Sequence, residues 1–182
     1  MVKGVSVRDR RRPGAGARQL YWAIAFYLIF ASALLGGCGS GLGRKSACDG
    51  LVYKEYGLSR KEYLPCAGEM VATMDRMRPH LEATLAGDRA APAKAQGLLQ
   101  ELWGLMKKAG GRNMLEQWQD TSLTSMNIDI WNAYNHYHTF LMIPAITRNA
   151  PAAADVRGAL EGELRNGSRA HQQAKNLYEG MR

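Results

Sequence analysis

The 182 residues of the chain suffice for one modest domain, and they carry a net charge of +8. Five of these excess positive charges lie in the first 37 residues, so the remainder carries only +3. A surplus this small is ordinary for a globular domain, and it argues against a nucleic-acid-binding protein that relies on a basic face.

The N-terminus has the three parts of a bacterial export signal. Residues 1–19 are basic, the 16 residues 20–35 carry no charge, and Leu35-Gly36-Gly37-Cys38 follows at once. This arrangement resembles the lipobox of bacterial lipoproteins. The resemblance implies that a signal peptide, residues 1–37, is removed and that Cys38 becomes the lipid-modified first residue. The alternative is a membrane anchor that ends in a cysteine by chance, but the uncharged run is short for a span that needs about 20 residues.

The residues behind Cys38 predict a tether and a destination. Residues 39–46 have no apolar periodicity, so we expect a flexible tether up to residue 50 and a helical domain over residues 51–182. Gly39 stands where proteobacterial lipoproteins that stay in the inner membrane carry aspartate. By that analogy the protein is anchored to the lipid bilayer of the outer membrane through acylated Cys38 and faces the periplasm.

The cysteine count predicts one disulfide. With Cys38 lipidated, Cys48 and Cys66 remain as an even pair in a chain that leaves the cytoplasm. A free thiol pair or half of a metal site are the alternatives. The sequence has no Cys-x-x-Cys, so it supports neither a thioredoxin-like redox site nor covalent attachment of haem.

Two helices are predicted in the first half of the domain. The first is expected to start near Pro65, to bend at Pro79 and to stop at Gly87. Its apolar residues recur at intervals of three and four, at Tyr63, Ala67, Met70, Met74, Met77, Leu81 and Leu85. The second helix is expected from about Pro92 to Ala109, before Gly110-Gly111.

Two more helices are predicted in the second half. The third is expected to begin at Asn113, with Glu116 completing a capping box, and to end at Pro144, with a possible interruption at residues 120–122. The fourth opens around Pro151, and residues 166–168 could divide it. The sequence therefore predicts an all-α domain, most simply an antiparallel up-down four-helix bundle.

Sequence motifs for catalysis or metal binding are missing. There is no phosphate-binding glycine loop, no nucleophile elbow, no His-Glu-x-x-His and no Glu-x-x-His of the di-iron bundles. His136 and His138 are two residues apart, which on a helix directs them to different sides, so a shared metal is not expected. We therefore expect a non-enzymatic protein without a metal or other cofactor.

Haem is the alternative cofactor. Residues Met74, 81–91 and 169–172 resemble segments of small periplasmic b-type cytochromes, four-helix bundles in which methionine and histidine ligate haem. The resemblance implies Met74 and His171 as axial ligands and electron transfer as the function. Methionine at helical spacing is also ordinary core filling, and a lone histidine on an apolar stripe is usually a hydrogen-bonded core residue.

The aromatic residues complete the sequence-based hypothesis. We expect most of the large rings to be buried, and any that are left outside to mark a docking surface. They are Trp103, Trp118, Trp131, Tyr134, Tyr137 and Phe140. The leading hypothesis is a membrane-anchored lipoprotein that acts as an accessory, binding or structural component of an envelope complex, with an envelope protein as its partner and no nucleic acid.

Overall fold

The computed structural model describes residues 45–146 and 153–182, and within them every regular element is helical. The helices are α1 (Arg60–Leu85), α2 (Ala91–Lys108), α3 (Thr121–Ile146) and α4 (Ala153–Met181), with a short 3₁₀ helix, Gly111–Leu115, between α2 and α3. The predicted all-α class is confirmed for these residues. The predicted signal peptide, the lipobox and Cys38 lie outside them.

Helix α1 begins five residues before the predicted start near Pro65. The carboxylate of Glu62 accepts hydrogen bonds from the backbone N–H of Ser59 at 3.1 Å and from its hydroxyl at 2.6 Å, which fixes the N-terminus one turn ahead of the proline. The helix then continues through Pro79 to Leu85. It stops as predicted at Gly87, whose φ of +95° suits glycine and whose N–H donates to the carbonyl of Thr84.

Helix α2 agrees with its prediction, but α3 does not. Gly110 and Gly111 both have positive φ and end α2. Asn113 lies in the 3₁₀ helix, so the predicted start of the third helix was wrong. The helix begins instead at the suspected interruption, where the carboxylate of Asp120 accepts hydrogen bonds from the N–H groups of Ser122 and Leu123.

The ends of the last two helices also differ from the prediction. Helix α3 continues past Pro144 to Ile146. A proline lacks the backbone N–H donor, but its carbonyl and the residues that follow it can still take part in the last turn. Helix α4 is continuous through residues 166–168. Gly167 is needed there because a Cβ atom would lie 2.6 Å from the ring of Tyr137, so this glycine permits close packing instead of ending the helix.

The core is one continuous cluster to which all four helices contribute. Helix α3 packs mainly against α4 and α1 mainly against α2, while α1 also contacts α4. Methionine fills much of the interior, with six buried side chains: Met70, Met74, Met77, Met106, Met114 and Met126. Since methionine adapts to irregular gaps, this core tolerates helices of unequal length.

The segment before α1 is attached to the helices. The Sγ atoms of Cys48 and Cys66 lie 1.98 Å apart, in the predicted disulfide pairing. The hydroxyl of Ser46 and the N–H of Ala47 donate to the carboxylate of Glu69 on α1, at 2.5 and 2.8 Å. Ordered structure thus begins before residue 51, inside the stretch that the sequence assigned to the tether.

Candidate binding surface

His171, the predicted alternative haem ligand, lies inside the domain at the contact between α4 and α1. Its side chain is 3 % exposed. The Nδ1 atom lies 3.5 Å from the hydroxyl of Tyr137 on α3. The Nε2 atom lies 3.3 Å from Asp75 Oδ1, close enough for an ion pair but without hydrogen-bond geometry. Both ring nitrogens therefore face protein atoms.

This arrangement does not fit an axial haem ligand. Iron ligation requires a ring nitrogen that is open to the metal, whereas the side chain of His171 is 3 % exposed and has Tyr137 and Asp75 within 3.5 Å of its two nitrogens. Met74 is fully buried in the methionine-rich core. Burial lowers the pKa of His171, and the carboxylate of Asp75 opposes this shift only in part. These are the properties of a core histidine.

The other two histidines considered as metal ligands are directed to different partners. His136 Nδ1 lies 2.7 Å from a carboxylate oxygen of Glu163 on α4. His138 is exposed, and its ring stacks on Tyr134 with centroids 6.0 Å apart. Over residues 45–146 and 153–182, no group of three or more histidine, cysteine, aspartate or glutamate side chains could hold a metal ion.

Four rings form an aromatic cluster where α2 meets α3: Trp103, Trp131, Tyr134 and His138. Trp103 stacks on Tyr134 with centroids 5.5 Å apart, and Trp131 meets Trp103 edge-on at 6.0 Å. Trp103, Trp131 and Tyr134 are each only partly buried, although tryptophan and tyrosine are the largest side chains that the core could use. The cluster therefore joins the core to the surface.

The cluster continues along α3 as an exposed strip, which we call the α3 outer face. It consists of Ile128, Trp131, Asn135, His138 and Met142, which follow one another at intervals of three and four residues and so share one side of the helix. Ile128 and Met142 are 41 % and 44 % exposed, less than Val52 and Tyr56 in the segment before α1 but more than the other large hydrophobic side chains of the four described helices. The α3 outer face thus combines apolar, aromatic and polar side chains.

Charge is missing from this surface. Among aspartate, glutamate, lysine and arginine, helix α3 has a single residue in 26 positions, Asp129. Helical spacing places Asp129 on the side of His136, which contacts Glu163 of α4. Partial burial raises the pKa of Asp129. In α2, Lys107 follows Trp103 by one helical turn, which makes it the cationic residue nearest to Trp103 along that helix. No exposed side chain of α3 between residues 121 and 143 is lysine, arginine, aspartate or glutamate.

The exposed positions of α3 are mostly polar but include neither lysine, arginine, aspartate nor glutamate. In α3, one side packs against the other helices while the α3 outer face remains uncovered. Trp131 and Met142 on this face are residue types that are enriched at protein interfaces, where charged residues are depleted. The sequence analysis named these rings but assigned most of them to the core. The signal that could have found the surface is the near absence of charge along α3.

Asn127 is a second feature of α3 that the sequence analysis missed. Its side chain is completely buried, and in the part of the chain that the structure describes neither its Nδ2 nor its Oδ1 atom has a hydrogen-bond partner. Helical spacing places it one turn before Trp131. An unpaired amide in this position costs stability and has no catalytic neighbour.

Comparison with family models, with curated proteins and with solved structures finds no match for this chain. Among the helices of residues 45–146 and 153–182, none is long and apolar enough to span a bilayer.

Proposed function

We propose that this chain is a membrane-anchored envelope lipoprotein whose helical domain is a non-enzymatic binding or accessory component of an envelope complex. The lipobox and Cys38 supply the anchor, on the outer membrane facing the periplasm. The domain supplies the binding surface, which is the α3 outer face. Haem is not part of this proposal, because both nitrogens of His171 face protein atoms.

One observation carries the binding role. The α3 outer face exposes Ile128 and Met142 beside the partly buried Trp131 and has no lysine, arginine, aspartate or glutamate, whereas the exposed positions of the other helices carry many charged residues. Exposing such a strip is unfavourable unless it is covered in the working state of the protein. A docking surface accounts for the composition of the exposed side of α3, which a catalytic role would not explain.

We also propose the up-down antiparallel arrangement for the four helices. Contacts between α1 and α4 support it. Gly68, early in α1, lies beneath the ring of Tyr178, late in α4, and Asp75, further along α1, pairs with Lys175, which precedes Tyr178. The chain directions of these two helices are therefore opposed along their contact.

The anchor is tested by variants at the predicted cleavage site. Cys38→Ser should remain unprocessed, because a hydroxyl cannot form the thioether that the lipoprotein signal peptidase requires. Gly39→Asp is the matched variant, which should be lipidated but fractionate with the inner membrane. Mass spectrometry of the mature N-terminus and density-gradient fractionation give the result. A wild-type N-terminus without lipid would contradict the proposal.

The binding role is tested by placing a charge on the α3 outer face. Trp131→Lys should abolish the cross-linked complexes that the wild-type protein forms in intact cells, because an ammonium cannot be buried in an uncharged interface without a partner. Gln173→Lys, at an exposed position of α4, is the control. Equal amounts of complex in both variants would exclude the α3 outer face as the binding surface.

A further inference from the structure

We infer that one end of the domain lies against the lipid bilayer that holds the anchor, with Val52 and Tyr56 in the interfacial layer of the membrane. This inference rests on the lipid anchor of the proposed function and goes beyond it, because an anchor alone lets the domain face the bilayer with any side. The observation behind it is that Val52 and Tyr56 are 73 % and 65 % exposed, more than any other large hydrophobic side chain described.

These two side chains belong to a surface at the start of α1, which we call the anchor end. Two stretches of chain that meet there form it, residues 49–62 and 108–120. The hydroxyl of Tyr53 donates to the carboxylate of Glu116, and Tyr56 lines a groove of about 310 Å³ together with Gln119. Leu115, which directly precedes Glu116, is also exposed. Three of the five exposed large hydrophobic side chains in the described part of the chain therefore lie at this end.

The chain length between the anchor and the domain indicates the bilayer as the occupant. Lys45 follows Cys38 by seven residues, which can span at most about 25 Å. Ala47 is bonded to Glu69, so the chain joins the domain about 14 Å along α1 from its start and about 24 Å from its last residue, Leu85. The bilayer is therefore well within reach of the anchor end, whereas the opposite end could meet it only through a nearly fully extended connection.

A second groove at the same end has the chemistry of a phospholipid site. It has a volume of about 640 Å³ and lies between the start of α1 and the end of α4. Four apolar or aromatic side chains and three cations line it: Leu64, Pro65, Tyr178 and Met181, with Arg60, Lys61 and Arg182. Among the described residues, no aspartate or glutamate lines this groove. An apolar floor with a cationic rim suits a molecule that has an acyl chain and a phosphate.

The three cations of this groove differ in what they already contact. Arg60 pairs with Asp120 at 2.7 Å. The guanidinium of Arg182 lies 5.6 Å from the centroid of the Tyr178 ring. Lys61 is exposed and, within the described part of the chain, forms no ion pair. Its ammonium is therefore available to a lipid phosphate, while Tyr56 suits the interfacial layer because its ring is apolar and its hydroxyl stays hydrated.

The mature lipidated protein, inserted by its acyl chains into vesicles of phosphatidylethanolamine and phosphatidylglycerol, tests this inference. One added cysteine carries a fluorophore, because Cys48 is bonded to Cys66 and the proposed lipid occupies Cys38. Matched vesicles contain brominated acyl chains, which quench only a fluorophore that reaches the lipid. The labelled variants are two at the anchor end and two controls elsewhere: Val52→Cys, Tyr56→Cys, Ile128→Cys and Gln173→Cys.

We expect brominated lipid to quench the label at both anchor-end positions and at neither control. Ile128 is the matched control, because it is also apolar and exposed. In the Val52→Cys chain, Lys61→Gln should lower the ratio of membrane-bound to free domain about fivefold, since one cation near an anionic surface is removed. Lys94→Gln, in the first turn of α2, should leave this ratio unchanged.

The outcomes separate the inference from the anchor. A protein that does not float with the vesicles has no acyl anchor, and the proposed function and this inference fail together. A protein that floats while the labels at Val52 and Tyr56 stay unquenched keeps its anchor and overturns the inference alone. Quenching at Ile128 that equals or exceeds that at Val52 would overturn it as well, because another side of the domain would then lie on the lipid. Circular dichroism of each variant verifies that it is folded.

Discussion

Replacing Asn127 with leucine should stabilise the domain. The asparagine side chain is completely buried on α3, one turn after Leu123 and one turn before Trp131. Among the described residues, no group donates to its Oδ1 atom or accepts from its Nδ2 atom. Folding therefore carries the unfavourable free energy of removing this amide from water, where the unfolded chain leaves it hydrated. Leucine has a similar branched shape and removes this cost.

The size of the effect follows from the two unpaired atoms. Burying an unpaired amide costs about 1–3 kcal/mol in proteins, and a replacement of similar shape creates little strain. We expect Asn127→Leu to raise the free energy of unfolding by about 2 kcal/mol. With a urea dependence of about 2 kcal/mol per molar, the midpoint of denaturation should move up by about 1 M.

Urea denaturation of the purified exported protein, followed by circular dichroism, measures this shift. Asn132→Leu makes the same exchange at an exposed position of α3 and should change the free energy by less than about 0.5 kcal/mol. Asn127→Ala should be less stable than Asn127→Leu, because it leaves a cavity. A loss of stability in Asn127→Leu would refute the reasoning, since it would mean that the amide is paired in solution.

Three further changes have defined outcomes. Cys66→Ala opens a loop with a sequence separation of 18 residues and should cost about 3 kcal/mol in urea denaturation, an effect that reduction of the wild-type protein should reproduce. Gly57→Ala should lower the free energy of unfolding by about 2 kcal/mol, because φ is +81° and a Cβ atom would lie 2.3 Å from the indole of Trp118. The control is Gly97→Ala in α2, where a Cβ atom would meet open space, and it should be neutral or stabilising. Titration of the purified protein with haem should give no Soret band; a stoichiometric band that His171→Gln removes would restore the haem alternative.

Local chemistry was sufficient to predict where α1 and α2 end. Gly87 and Gly110 adopt positive φ, which any glycine after an apolar stripe can do without help from the rest of the fold. The Cys48–Cys66 pairing was likewise predictable, because elimination left only two thiols. These features depend on neighbours in sequence or on counting, and neither requires knowledge of the tertiary packing.

The start of α3, in contrast, could not be predicted from neighbouring residues, because it depends on tertiary packing. Asn113 and Glu116 have the spacing of a capping box, but Glu116 accepts a hydrogen bond from the hydroxyl of Tyr53 in the segment before α1. The ring of Trp118 is buried, and its N–H donates to the carbonyl of Asn113 at 3.2 Å. These contacts hold residues 111–120 out of the helix. The α3 outer face was missed because it also depends on tertiary packing. The periodicity of the sequence identifies aromatic residues that could be buried, but only the packing of the helices determines which of them are.

His171 gives a final prediction, in which the pH dependence of stability reports its surroundings. Burial is the main cause that lowers its pKa below 6.5, and Lys175 and Arg78 act in the same direction, while Asp75 opposes them. The unfolded chain therefore binds more protons than the folded protein just below pH 6.5, so stability must fall as the pH falls through this range. The slope should reach at most about 1.4 kcal/mol per pH unit for one group.

Urea denaturation of wild-type protein and of His171→Gln between pH 7.5 and about 5 isolates this contribution. The variant should be less stable at pH 7.5, since glutamine cannot reproduce the packing of the ring, but its stability should decline less steeply on acidification. His138→Gln, at an exposed position of α3, is the matched control for the exchange of histidine for glutamine. If wild type and His171→Gln lose stability in parallel, the carboxylate of Asp75, 3.3 Å from Nε2, has offset the burial of the imidazole. If the wild type instead gains stability relative to the variant, the pair is an ion pair and His171 is charged in the folded protein.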